Sequence, residues 1–179
     1  SVYQYIQLSM YDFPIKMNIF WGFVKISGAF LFLVGFILMI KKFIYLMNTD
    51  SLTNLYTRQY IEKCWSLRQK RSSWYKEKMS ILFLDVNDFK QVNDKFGHEI
   101  GNQILTDLAC TINSCVRKQG IVSRFWGDEF IILLYQTDKQ QAEKILEHIQ
   151  ETIMESKIHQ QYDISVSGGI STFPDDGVS

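Results

Sequence analysis

Cysteine is scarce in this chain: three among 179 residues, Cys64, Cys110 and Cys115. An odd count without metal-ligand spacing excludes a disulfide framework and a zinc site, and predicts reduced thiols partly in the core. Net charge is missing too, since nineteen Lys and Arg offset nineteen Asp and Glu. Without a basic field the chain does not read as a binder of nucleic-acid polymer, although a small anionic ligand needs only local charge. Several motifs are absent: GxxxxGK[ST], HExxH, and GxGxxG after a strand. Ser167-Gly168-Gly169 has no glycine two residues before the serine, which excludes a nucleophile elbow. His98 is followed by no partner histidine, and His148 and His159, at helix or loop positions, read as surface groups. There is no internal repeat and no low-complexity segment.

One long apolar run is present. Ile19 to Ile40 is interrupted only by Lys25. About 20 apolar residues cross a hydrocarbon core of about 30 Å. Lys25 lies in the outer third, where its stem can snorkel to the headgroups. Trp21 and Tyr45 sit where an aromatic belt would place them. A buried soluble helix of this kind would need a much larger domain to cover it on all sides. Lys41 and Lys42 follow the run directly, which predicts a cytoplasmic C-terminal side. Residues 1–18 are then the end of an extracytoplasmic segment, 19–40 a transmembrane helix and 41–50 a helical linker. The run is too long for a signal peptide, and no cleavage pattern follows it.

Residues 51–179 read as an α/β domain. Thr49 and Asp50 offer an N-cap for a helix from about Ser51, which Ser72 and Ser73 would break. Met79 to Val86 is a short apolar run that fits a buried strand. Phe89 to Gly97 reads as a polar turn region. Ile100 to Cys115 has helical spacing. Ile121–Phe125 and Glu129–Tyr135 read as a hairpin with Trp126, Gly127 and Asp128 at its tip. Ala142 to Ile153 predicts another amphipathic helix, and Tyr162 to Ile170 a strand with Ile164 and Val166 inward. That order predicts helices packed on a mixed sheet.

Two acidic clusters stand where this pattern places strand ends: Asp85 with Asp88, and Asp128 with Glu129. Carboxylates held close together are costly unless a cation neutralises them. Oxygen ligands suit Mg²⁺ or Mn²⁺, which bridge substrate phosphates. Gly127 lets a backbone approach a ligand closely, and Lys90 with nearby N–H groups can meet phosphate oxygens. The pattern points to metal-assisted phosphoryl chemistry on a nucleotide, against the alternative of a solvated turn with ordinary surface acids.

These residues resemble the GGDEF domains of diguanylate cyclases. DSLTNLYTRQY, Asp50 to Tyr60, resembles the family's opening motif DxLTGLxNRR. FLDVNDFKQVNDKFGHEIGNQIL, Phe83 to Leu105, is similar to LDxDxFKxxND followed by GH and GDxxL. RFWGDEF, Arg124 to Phe130, stands at the signature hairpin, and SVSGGISTFPDDG, Ser165 to Gly177, resembles the late strand with its YPxDG turn.

The resemblance implies a mixed sheet flanked by helices, related to adenylyl cyclase and polymerase palm domains. It implies that two GTP-loaded domains meet as a homodimer. The 3′-hydroxyl of each GTP attacks the α-phosphate of the other, giving cyclic di-GMP and pyrophosphate. It makes Asp85, Asp128 and Glu129 catalytic, with Mg²⁺ (or Mn²⁺) held by Asp85, Asp128, Glu129 and the Val86 carbonyl. Asn93 and Asn102 would read guanine; Asp88, Phe89, Lys90 and Gly127 would contact the rest of the substrate. The family's product-inhibition motif RxxD keeps Arg117 here but has Gly120 in place of the Asp. Trp126 stands for the first glycine of GGDEF and Asn102 for the Asp of GDxxL. The expectation is a single-pass signalling protein of the cytoplasmic membrane with its cyclase domain in the cytoplasm, ending before the family's last helix and strand. The alternative is a degenerate domain that holds GTP or a partner protein without turnover.

Overall fold

The computed structural model describes residues 2–75 and 77–176, with side chains at residues 17, 21–69 and 77–176. The chain divides into two units, residues 1–47 and 48–179. The first is helix α1, Val2–Asn48. Its stretch Trp21–Asn48 is long and apolar enough to cross a membrane, by length and composition. At 1.5 Å per residue it reaches about 42 Å, more than a hydrocarbon core requires.

The second unit holds β1 (Tyr56–Thr57), α2 (Arg58–Tyr75), β2 (Met79–Val86), α3 (Phe89–Phe96) and α4 (His98–Val116). A 3-10 turn at Arg117–Gln119 leads to β3 (Gly120–Trp126) and β4 (Glu129–Tyr135). Helices α5 (Lys139–Met154) and α6 (Lys157–Tyr162) and strand β5 (Val166–Phe173) follow. The sheet order is β1-β3-β4-β2-β5, with β1 parallel to β3 and the other pairs antiparallel. Pleating sorts the side chains. Leu82, Leu84 and Val86 of β2 and Phe130, Ile132 and Leu134 of β4 are buried in one core with Ile104, Leu108 and Ile112 of α4 and Ile149 of α5. Register pairs Leu84 with Phe130 and Leu82 with Ile132, which makes that face continuous. The alternate residues, Phe83 and Asp85, are exposed.

Five local expectations are corrected. No helix starts at Ser51. Asp50 instead closes a turn, accepting from the Thr53 N–H at 2.9 Å and Thr53 Oγ1 at 2.8 Å. Asn54 has φ 57°, which a helix does not admit, so α2 starts only at Arg58. Ser72 and Ser73 do not break α2, because serine in a helix costs only tenths of a kcal/mol, roughly 0.5. The segment after Asp88 is a helix rather than a turn: Phe89, Val92 and Phe96 recur at helical spacing, and Val92 is buried. The last strand starts at Val166 because Tyr162 closes α6, capped by Ser156 and ended by a left-handed Asp163. His159 is half-buried there, with Nδ1 2.9 Å from the Ile164 carbonyl, not a free surface group. The three cysteines are free; Cys110 is exposed and the other two half-buried. Gly177, the end of the fourth motif, lies outside the described residues.

Candidate functional site

Strand pairing assembles the carboxylates. Asp85, near the end of β2, lies directly opposite Glu129 at the start of β4 and opposite Ser167 of β5. Glu129 is also opposite Trp126 of β3. Directly paired residues point to the same face, so Trp126, Glu129, Asp85 and Ser167 form one row across the sheet, on the face away from α4 and α5. The hairpin tip is therefore Gly127 and Asp128 alone. Gly127 has φ 51°, a left-handed conformation that favours glycine. Burial pushes the Asp85 carboxyl above its ordinary range, and the Asp128 charge adds to the push. Two carboxylates near enough to repel are a donor set that a cation would relieve.

Among the described residues no three His, Cys, Asp or Glu gather into a closed metal cage. A Mg²⁺-type ion does not require one, because it takes one or two carboxylates and completes its shell with water and substrate phosphates. The oxygen donors here fit that pattern.

The connection after β2 makes the second part. Asn87 uses its side chain on β5 and the residue before it: Nδ2 donates to Ser165 Oγ at 2.8 Å, and Oδ1 accepts from Ser167 Oγ at 2.8 Å. Asp88 is left-handed at φ 56° and turns the chain into α3, accepting from Gln91 Nε2 at 2.7 Å. The Phe89 ring packs on the core, so what it can offer a ligand is its backbone N–H in the first turn of α3. Lys90 is exposed one residue on. Free N–H groups and a cation at a helix start suit phosphate. Val86 is buried and paired with Val166.

Asn93 and Asn102 are tied to α4. A Cβ added at Gly101 would overlap Asn93 Oδ1 and meet Phe89 Cζ at 3.2 Å, so the Asn93 amide lies directly over this glycine. Asn102 borders a groove of about 460 Å³ with Leu52, Glu99 and Thr106 among its walls. Arg117 lies apart from all of these, in the turn before β3, where its Nε donates to the Ser114 carbonyl at 3.3 Å. A Cβ at Gly120 would overlap the Leu133 carbonyl, so this backbone has no room for the aspartate of an RxxD turn.

One pair escaped the sequence reading. Arg124 donates through Nε to the Gly127 carbonyl at 2.7 Å and through Nη1 to Asp50 Oδ1 at 3.2 Å. It thereby fixes the hairpin to the turn around Asp50. Burial opposes the Asp50 charge, but the Thr53 donors and Arg124 outweigh it and hold the carboxyl below its usual range. The available signal was a lone charged residue, Arg124, in a strand whose one other polar side chain is Ser123.

An α/β domain with carboxylates at adjoining ends of a mixed sheet, beside a helix start, is the class defined so far. The family profile described as "Diguanylate cyclase, GGDEF domain" matches residues 47–179, and the chain belongs to that family. Diguanylate cyclase A of Treponema denticola is 31% identical over 134 residues, covering 70% of this chain and 36% of that protein. The chain thus spans about a third of that relative's length. Among solved structures, the GGDEF domain of YfiN (TpbB) from Pseudomonas aeruginosa is 31% identical with a TM-score of 0.65, covering 70% of this chain and 76% of that one. The coiled coil and GGDEF domain of DgcB from Caulobacter crescentus, solved with c-di-GMP, has a TM-score of 0.75 at 19% identity, covering 83% and 81%, and supports the fold.

Proposed function

We propose that this protein is a membrane-anchored diguanylate cyclase that converts two GTP into cyclic di-GMP and two pyrophosphates. The observation that carries the reading is the pairing of Asp85 with Glu129 beside Asp128, in a chain of this family. Each 3′-oxygen forms a bond to the α-phosphorus of the facing GTP as the bond to pyrophosphate breaks. Asp85, Asp128 and the Val86 carbonyl hold the divalent ion, Mg²⁺ or Mn²⁺, which neutralises phosphate charge when bound. Glu129 takes the 3′-hydroxyl proton or joins the metal shell. The start of α3, with Asp88, Phe89 and Lys90, orients the phosphates. Gly127 leaves room at the hairpin tip, and Asn93 and Asn102 meet the guanine edge. The helix Trp21–Asn48 places the domain at the cytoplasmic face of the membrane, where two copies meet as a homodimer.

A second reading, a GTP-binding regulatory module without turnover, is favoured by Trp126. Its indole is 72% exposed and stands in the carboxylate row. Full-length protein in lipid nanodiscs, given GTP and Mg²⁺, distinguishes the two. Cyclic di-GMP and pyrophosphate in a ratio of one to two is the expected result. GTP binding without product, with turnover appearing in Trp126→Gly, would establish the second reading.

Gly101→Ala provides a narrower test. The new methyl displaces the Asn93 amide, and losing about one hydrogen bond corresponds to roughly a tenfold rise in KM for GTP. Steady-state kinetics should show kcat changing much less. An unaltered KM would remove Asn93 from guanine recognition.

A further inference from the structure

Asn87 stands between the two halves of the site, in the short connection from β2 to α3. Asp85 lies two residues before it, and Phe89, which opens α3, two residues after it. Three hydrogen bonds tie it across the sheet: its N–H donates to the Ser165 carbonyl at 3.0 Å, its Nδ2 donates to Ser165 Oγ at 2.8 Å, and its Oδ1 accepts from Ser167 Oγ at 2.8 Å. The ladder of β2 with β5 ends one residue earlier, at Val86 and Val166. Asn87 therefore prolongs the pairing past the last strand residue, with its own side chain.

The backbone bond fixes a direction. In a trans peptide the N–H and C=O point opposite ways. The Asn87 N–H points toward β5, so the Val86 carbonyl, in the same peptide unit, points to the β4 side. There the ladder of β2 with β4 has ended at Asp85 and Glu129, and Asp128 is the next residue. The side-chain bonds hold that peptide plane from the other side. Ser167, directly opposite Asp85, spends its hydroxyl proton on Asn87 rather than on the carboxylate. The next residue, Asp88, has φ 56°, a conformation that persists where the surroundings impose it. The anchor on Ser165 and Ser167 supplies that constraint immediately before the turn.

We infer that Asn87, clamped by Ser165 and Ser167, is a positioning residue that aims the Val86 carbonyl and the start of α3 at one divalent ion and its nucleotide phosphates. This rests on the proposed roles of Asp85 and Val86 as metal donors. Asn87 acts through the peptide units on either side of it and needs no contact with metal or nucleotide. Its amide does so without adding a charge to Asp85, Asp88 and Asp128. Outer-shell partners of this kind are worth about 10–100-fold in metal affinity.

Mn²⁺ titrated into the full-length protein in detergent, with a non-hydrolysable GTP analogue present, tests this through the electron paramagnetic resonance signal of the free ion. Asn87→Ala should weaken Mn²⁺ binding about tenfold or more. Asn87→Asp, whose carboxylate accepts from both serine hydroxyls, should restore it. Ser167→Ala should weaken binding in wild type and add nothing in Asn87→Ala, because the two side chains share one bond. Ser80→Ala is the control for loosening of the strand pair. Ser80 Oγ lies 2.8 Å from Thr172 Oγ1 at the other end of the same ladder. That variant should lower the unfolding midpoint and keep the wild-type affinity for Mn²⁺. Unchanged affinity in Asn87→Ala, or an equal loss in Ser80→Ala, would overturn the inference. Product assays on wild type decide the cyclase reading separately. Mn²⁺ binding that depends on Asn87, without cyclic di-GMP, would sink that reading and leave the clamp in place.

Discussion

Asp85→Asn should lower cyclic di-GMP formation about a thousandfold, and it should also raise the thermal midpoint of the metal-free protein. The first effect follows from the proposed metal site. A bound divalent ion contributes several kcal/mol of transition-state stabilisation, and roughly 4 kcal/mol corresponds to a thousandfold in rate. The amide offers one neutral oxygen where the carboxylate offers charge. The second effect follows from repulsion. Burial and the neighbouring Asp128 raise the Asp85 carboxyl above its ordinary value of 3.8. The folded state therefore holds the proton more tightly than the unfolded state. As pH rises from 3.8 through the folded value, wild type loses stability that the amide, which never ionises, retains. The variant's advantage is absent at acid pH, opens as Asp85 deprotonates and stays open at neutral pH. Added Mg²⁺ should reverse the ranking by stabilising wild type alone. Product assays, with melting curves in EDTA and in Mg²⁺, measure both effects. A variant that keeps its activity, or that melts below wild type in EDTA at neutral pH, would remove Asp85 from the metal site.

The parts of this site visible in the sequence are those fixed by short-range pattern. An apolar run ending in a carboxylate marks β2 with Asp85, and two apolar runs with a polar link mark the hairpin with Asp128 and Glu129. Periodicity of two and of 3.6 also locates α4, α5 and the paired strands, because burial on one face imposes it. What was hidden depends on contacts between distant segments. Asp50 was assigned to a helix cap from its neighbours, yet its partner Arg124 lies 74 residues on. The same arginine bonds the Gly127 carbonyl, so turn and hairpin are set together. Phe89 read as a substrate contact because it sits in a motif, but its ring belongs to the core. Trp126 read as a loop residue; the register makes it the last member of β3.

The two aromatic residues that flank the hairpin tip should respond in opposite ways to truncation. Phe130→Ala is expected to cost about 3–5 kcal/mol, as large buried rings do when replaced by a methyl. Phe130 is 0% exposed, opposite Leu84 in the middle of the core, and a cavity there cannot be filled by backbone already committed to β2 and β3. Set against a usual domain stability of about 5–15 kcal/mol, the loss is a large fraction of the whole. For a domain of this size it corresponds to a fall in melting temperature of about 10–20 °C. Trp126→Ala, at 72% exposure, should stay within about 0.5 kcal/mol of wild type. Urea unfolding of the full-length protein in detergent, followed by near-ultraviolet circular dichroism, measures both variants. Phe130 follows Glu129 in the chain, so its anchoring also holds the carboxylate row in register with Asp85. Phe130→Ala protein assayed well below its midpoint should therefore lose activity beyond its unfolded fraction. A cost below about 1 kcal/mol would mean that the hairpin is held from outside the core, by Arg124 and the Asp50 turn, and that Phe130 is not its anchor.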